Sequence, residues 1–178
     1  MMEMTVALLI LMIGLLGLAS AIGYGLSVSN RGRNVTNTKL LIVSILEQME
    51  NLRNTKELSF GQIANTGKDV DNAGATHDFD GFPTGFQPVS INPGPDGIYG
   101  TTDDLVDAGP DNNYGTADDF ENPALARPGY ERQIEISTLS ADLKKIVVTL
   151  KYPGGHGETQ TMEATSYLNN DARSNFHP

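Results

Sequence analysis

The first thirty residues carry one charge, Glu3, and from Met4 to Asn30 the chain runs 27 residues without another. A helix of about 20 apolar residues already crosses the hydrocarbon core of a bilayer. A chain with such a segment needs lipid, or other greasy helices, around its N-terminal part. The placement of Glu3 narrows the choice further, because a carboxylate within hydrocarbon costs about 2.5–3.5 kcal/mol at mid-depth. No Lys or Arg occurs before Arg31. The partner of Glu3 is therefore the terminal amine of its own chain or that of a neighbouring copy. A secretory signal peptide would account for the hydrophobicity, and Ala19-Ser20-Ala21 looks like a cleavage site, but such peptides open with basic residues. A plain single-span anchor accounts for the length and leaves Glu3 without a role.

Beyond the uncharged run the pattern becomes one-sided. Ile42, Ile45, Met49 and Leu52 recur at helical spacing, flanked by Leu41 and Leu46, while Lys39, Glu47, Glu50 and Arg53 occupy other faces. The spacing predicts one helix over 2–53, roughly 80 Å long. Its first half is apolar all round and its second half presents a single stripe to a globular head. Gly14, Gly17, Gly23 and Gly25 interrupt the apolar half. Small residues let helices pack closely, and the same four glycines are candidate points for local unwinding when the helix leaves a bilayer.

The stretch from Glu3 through Met-Thr-Val-Ala-Leu-Leu-Ile-Leu-Met-Ile-Gly-Leu-Leu-Gly-Leu to Ala19 resembles the start of a type IV pilin or pseudopilin. The resemblance covers about thirty residues closely and the remainder in layout. It implies processing by a prepilin peptidase, an inner-membrane stage before assembly, and a helical filament of identical subunits. It also implies that Glu3 pairs with the amine of a neighbouring subunit in the filament core. The family places four residues before its glutamate, whereas Met1 and Met2 alone precede Glu3 here. A leader and two further residues missing from this sequence, or unusual processing, are the expected explanations. Many pilins close a C-terminal loop with a disulfide, and this chain has no cysteine.

The formal charge is −10, and one block carries all of it. Between residues 66 and 128 twelve acids face only Lys68 and Arg127, and the rest of the chain is neutral. An acidic block of this kind excludes nucleic acid as a partner. Within it the sequence repeats with a period of 15. The run from Gly94 to Leu105 (GPDGIYGTTDDL) is followed by Gly109 to Phe120 (GPDNNYGTADDF), identical at eight of twelve positions. Each copy supplies an early carboxylate, turn-forming glycines and a closing pair of aspartates. Calcium takes six to eight oxygens from carboxylates, carbonyls and water, so the expected ligands are Asp96, Ile98, Thr101, Asp103 and Asp104 in the first copy. Their counterparts are Asp111, Asn113, Thr116, Asp118 and Asp119 in the second. No Glu closes either loop in the EF-hand manner, and neither contains the Cys or His that zinc or copper would favour. Asp69, Asp71, Asp78 and Asp80, beside His77, form a weaker candidate cluster, and Asp107 is a further weak candidate. Residues 56–128 read as irregular, with too little apolar content to offset the ~1–2 kcal/mol per residue that backbone ordering costs. Bound cations are the expected source of order.

Alternation returns near the C-terminus. Tyr130 to Ile136, Lys144 to Tyr152 and Glu158 to Leu168 read as three antiparallel strands. The expected fold is α+β, pilin-like, with four parts. Residues 1–28 form an anchor or filament-core helix and 29–55 its amphipathic continuation. Residues 56–128 form an acidic, metal-binding loop with repeats at 94–105 and 109–120, and 129–178 a sheet and tail. No nucleophile–base pair or phosphate-cradling loop is present, so an enzyme is not expected. The sequon Asn34-Val-Thr36 lies on the predicted helix and reads as incidental. Three functions fit: a filament subunit with calcium-stabilised surface loops, a minor pilin or secretion pseudopilin that primes a filament, and a membrane-tethered monomeric calcium-binding or adhesive module.

Overall fold

The computed structural model describes residues 2–170. One helix, α1 (Met2–Asn54), runs through the apolar and amphipathic halves without a break. It buries Thr38, Ile42, Ile45, Met49 and Leu52, the stripe expected from the spacing. The helix is continuous through all four candidate glycines, and a Cβ added at any of them would meet nothing within 4 Å.

The buried stripe packs on an antiparallel sheet in the order β1-β4-β5-β6. Its strands are β1 (Gln87–Ser90), β4 (Ala126–Ser140), β5 (Leu143–Pro153) and β6 (Thr159–Asn169). A small second sheet pairs β2 (Val106–Asp107) with β3 (Phe120–Glu121). β5 follows strict alternation, burying Lys144, Ile146, Val148, Leu150 and Tyr152 on one face. β4 places Tyr130, Arg132, Ile134 and Ile136 inward. The resulting layer, one long helix on an antiparallel sheet, is a pilin-like α+β layout. β4 starts earlier than its alternation suggests, because β1 pairs with it and brings Ser90 opposite Ala126.

Residues 56–128 depart from the expected irregular loop in two respects: they supply β1 to the main sheet and the β2–β3 pair, and they contribute to the core. Their few apolar side chains are not wasted on solvent: Leu58, Ile63, Phe79, Phe82, Val89 and Ile98 all enter the core. Buried polar groups finish the ordering. The Asn65 side chain donates through Nδ2 to the carbonyls of Phe82 and Ile134 and accepts from the Ile136 amide at 2.7 Å, which satisfies backbone groups of β4 beyond the reach of β1. Lys144 reaches from β5 to donate to the carbonyls of Phe60 and Ile63 at 2.7 and 2.8 Å. Gln62 holds Asn72 and the His77 carbonyl. The first half of this segment thus has sources of order that owe nothing to a cation. Single apolar residues spaced by polar ones carry no periodicity, which is why the sequence pattern understates the core.

Candidate metal centre and helix surface

The two repeats fold into the same turn, one hydrogen bond at a time. Asp96 Oδ1 accepts from the Ile98 amide at 2.7 Å, and Asp111 Oδ1 from the Asn113 amide at 2.8 Å. Thr101 Oγ1 is 2.9 Å from the Ile98 carbonyl and 2.6 Å from Asp103 Oδ1. Thr116 Oγ1 is 3.1 Å from the Asn113 carbonyl and 2.6 Å from Asp118 Oδ1. The glycines that open the repeats explain the close return of the chain. Gly94 and Gly109 have φ of +70° and +65°, and a Cβ at either would run into the backbone of Asp103 or Asp118. Only glycine tolerates that combination without strain.

This geometry divides each closing aspartate pair into two roles. Asp103 and Asp118 join the Asp–carbonyl–threonine group. Asp104 and Asp119 lie farther from the threonine hydroxyls, at 3.2 and 3.4 Å, and chiefly cap amides: Asp104 accepts from Gly100 and Thr101, and Asp119 from Gly115 at 2.7 Å. Asp104 is further engaged by Arg132 of β4 in a buried ion pair. Its oxygens are therefore committed within the protein, and the first repeat is pinned to the sheet. The second repeat lies at the surface, and its Asp119 has no such base among the described residues.

Electrostatics differ accordingly. Asp96 is pushed up to about 6, chiefly by partial desolvation and further by the charges of Asp103 and Asp104, although its side chain still reaches solvent. Asp118 is held below the usual carboxylate range, mainly by the Thr116 hydroxyl that donates to it.

The weaker candidates separate. Asp78 and Asp80, with His77, face Asp96 and Asp103 across one cleft of about 480 Å³. Asp69 and Asp71 line a different cleft with Lys144. Asp107 caps the Gly109 amide at 3.1 Å and accepts from Asn122 at 2.7 Å, which closes the base of the second repeat. Among the described residues no three His, Cys, Asp or Glu side chains converge on one point. A cation at either repeat would therefore draw on carbonyl, hydroxyl and water oxygens as well as carboxylates. Such an all-oxygen set suits a hard cation.

The second candidate surface is the helix. Residues 2–26 of α1 are all exposed, Leu8, Ile13, Leu16 and Tyr24 among them. This part of α1 is long and apolar enough to cross a membrane. Glu3 is exposed at its tip and has no ion-pair partner among the described residues. The sequon is occupied by structure: Asn34 Nδ2 donates to the Pro153 carbonyl at 2.8 Å. Sequence reasoning gave no hint of the Arg132 contact; its only signal was a lone base on the inward face of an alternating strand. No family model matches the chain, and neither the curated proteins nor the solved structures compared with it returned a match.

Proposed function

We propose that the chain is a structural subunit of an extracellular type IV pilus-like filament, held in the inner membrane through α1 before assembly and polymerising through the same helix. The observation that carries this reading is the division of α1. Its second half is packed against the sheet, and its first 25 or so residues are apolar and uncovered on every side. A surface of that extent does not persist in water. Lipid covers it in the monomer and sister helices in the polymer, where the amine of an adjacent copy answers Glu3. Electron microscopy of material sheared from cells, with antibody to this protein, tests the reading. Regular labelled fibres are expected; a labelled particle of single-subunit size would count against it.

The repeats fit into this reading as calcium-stabilised loops of the outward head. Asp96, the Ile98 carbonyl, Thr101 and Asp103 would hold the first ion. Asp111, the Asn113 carbonyl, Thr116 and Asp118 would hold the second. The ion supplies positive charge to carboxylates that otherwise repel one another. A pH prediction follows from Asp96. Its pKa in the fold lies above the ordinary 3.8, so the folded chain holds this proton more tightly than the unfolded one. In cation-free protein this group therefore lowers stability as pH rises from about 4 through about 6. Calcium reverses that penalty only once Asp96 is ionised. At pH 7.5 millimolar calcium is expected to raise Tm by about 5–10 °C if it exceeds Kd about a hundredfold, with a much smaller gain at pH 5. Asp96→Asn should remove the first repeat's share of the gain at both pH values and leave that of the second repeat. Circular dichroism melts of the full chain in detergent, with chelator controls, measure it; identical melts with calcium and chelator at pH 7.5 would remove calcium from the account.

A further inference from the structure

Between Glu3 and Glu47 every charge is positive: Arg31, Arg33 and Lys39. All three are exposed. The ion pairs among the described residues are Arg132–Asp104 and Lys151–Glu131, so this collar on α1 has no acidic partner there. The second repeat is the converse. Asp111, Asp118 and Glu121 are exposed, Asp119 is half-buried, and none of the four is paired with a base among the described residues. We propose that the Arg31 and Lys39 side of this collar, whose two side chains project about 80° apart around α1 at 3.6 residues per turn, docks the acidic second repeat, residues 109–121, of a neighbouring copy, while Arg33 projects from the far side of the helix. The inference rests on the filament reading and specifies which surfaces meet outside the apolar core.

Charge argues for a second copy as the occupant. Subunits of net charge −10 repel when packed side by side. The repulsion is least when the acidic face of one lies on the basic collar of the next. Two acidic loops facing each other would be the costliest arrangement. A divalent ion in the second repeat would reduce its four negative charges to two, which still complements Arg31 and Lys39. The fold also sets the offset. Gln48 of α1 donates to the Tyr99 carbonyl at 2.8 Å, which roots the acidic block at the level of Gln48. Asn92 and Tyr114 tie the second repeat to the first. The collar lies about 14–26 Å below Gln48 along the helix at 1.5 Å per residue. A neighbour whose collar meets the loop is therefore displaced axially by a distance of that order.

The absence of cysteine makes a direct test available. Lys39→Cys and Ala117→Cys are introduced together, and assembled filaments are oxidised and run on a denaturing gel. A covalent ladder is expected from the double variant, and from each single variant nothing beyond dimers. In parallel, Arg31→Glu with Lys39→Glu should lower filament yield more than tenfold, and Ala117→Lys with Glu121→Lys in the same chain should restore most of it. Filaments that form normally without a ladder, with no rescue by the swap, overturn the docking and leave the filament reading intact. Charge reversal that releases the protein from membranes, again without ladder or rescue, assigns the collar to anionic headgroups and also overturns it. Absence of filaments from the unaltered chain removes both readings.

Discussion

Glu3→Ala is expected to reduce filament yield about a hundredfold or more while leaving the head unchanged. In the proposed filament a bundle of α1 helices would place the carboxylate in a low-dielectric core, paired with the amine of a sister chain. Removing one member of a buried ion pair costs about 3–5 kcal/mol, because the other is left uncompensated. Each 1.4 kcal/mol is a tenfold change in an equilibrium constant. Glu3→Gln separates charge from shape, since it keeps the length and hydrogen-bonding oxygen of the side chain. It should be impaired nearly as severely. Glu3 touches nothing in the head, whose buried residues begin at Thr38, so the thermal unfolding of both variants should match that of the unaltered chain. Quantifying sheared filaments against total protein makes the comparison, and normal yield from Glu3→Ala would remove the pairing.

The second large effect concerns stability. Arg132→Leu is expected to destabilise the head by about 3 kcal/mol, and Asp104→Ala by about 3–5 kcal/mol. In the first variant Asp104 keeps the Gly100 and Thr101 amides but loses its counter-charge. In the second, a buried guanidinium stands unpaired and two capped amides lose their acceptor, which is the heavier loss. The effect should spread beyond the pair, because Ser90 of β1 donates to the Asp104 carbonyl at 2.7 Å. Loosening the first repeat therefore loosens the edge of the sheet. Replacing both by Leu should cost less than the sum of the single changes, since no orphan charge remains. For a chain of this size, 3 kcal/mol lowers Tm by about 6–12 °C. Melts of the three variants decide it; single variants that unfold with the unaltered chain would show the contact to be unimportant.

Much of the architecture is legible because it rests on period. The 3.6-residue recurrence of Ile42, Ile45, Met49 and Leu52 and the alternation of Lys144 to Tyr152 each specify a buried face, and helix and sheet must share those faces. The repeats are legible for a different reason. Identical residues at a fixed spacing fold alike, and the hydrogen bonds of Asp96 and Asp111 are the same. What sequence does not show is the environment around two identical turns. Asp104 and Asp119 occupy equivalent positions, yet Arg132, distant in sequence, reaches only Asp104. β1 escapes notice because four residues containing Pro88 make a strand only through their pairing with β4. Asn65 escapes because a buried asparagine has no local signature.

The central claim is that the uncovered apolar half of α1 becomes the packed interior of a polymer, and helical reconstruction of the purified cell-surface fibre tests it most directly. The account predicts a core of bundled helices into which residues 2–28 of every subunit fit, with the sheet and both repeats outside. A fibre core with no density for those residues, or subunits whose N-terminus begins beyond them, would contradict it.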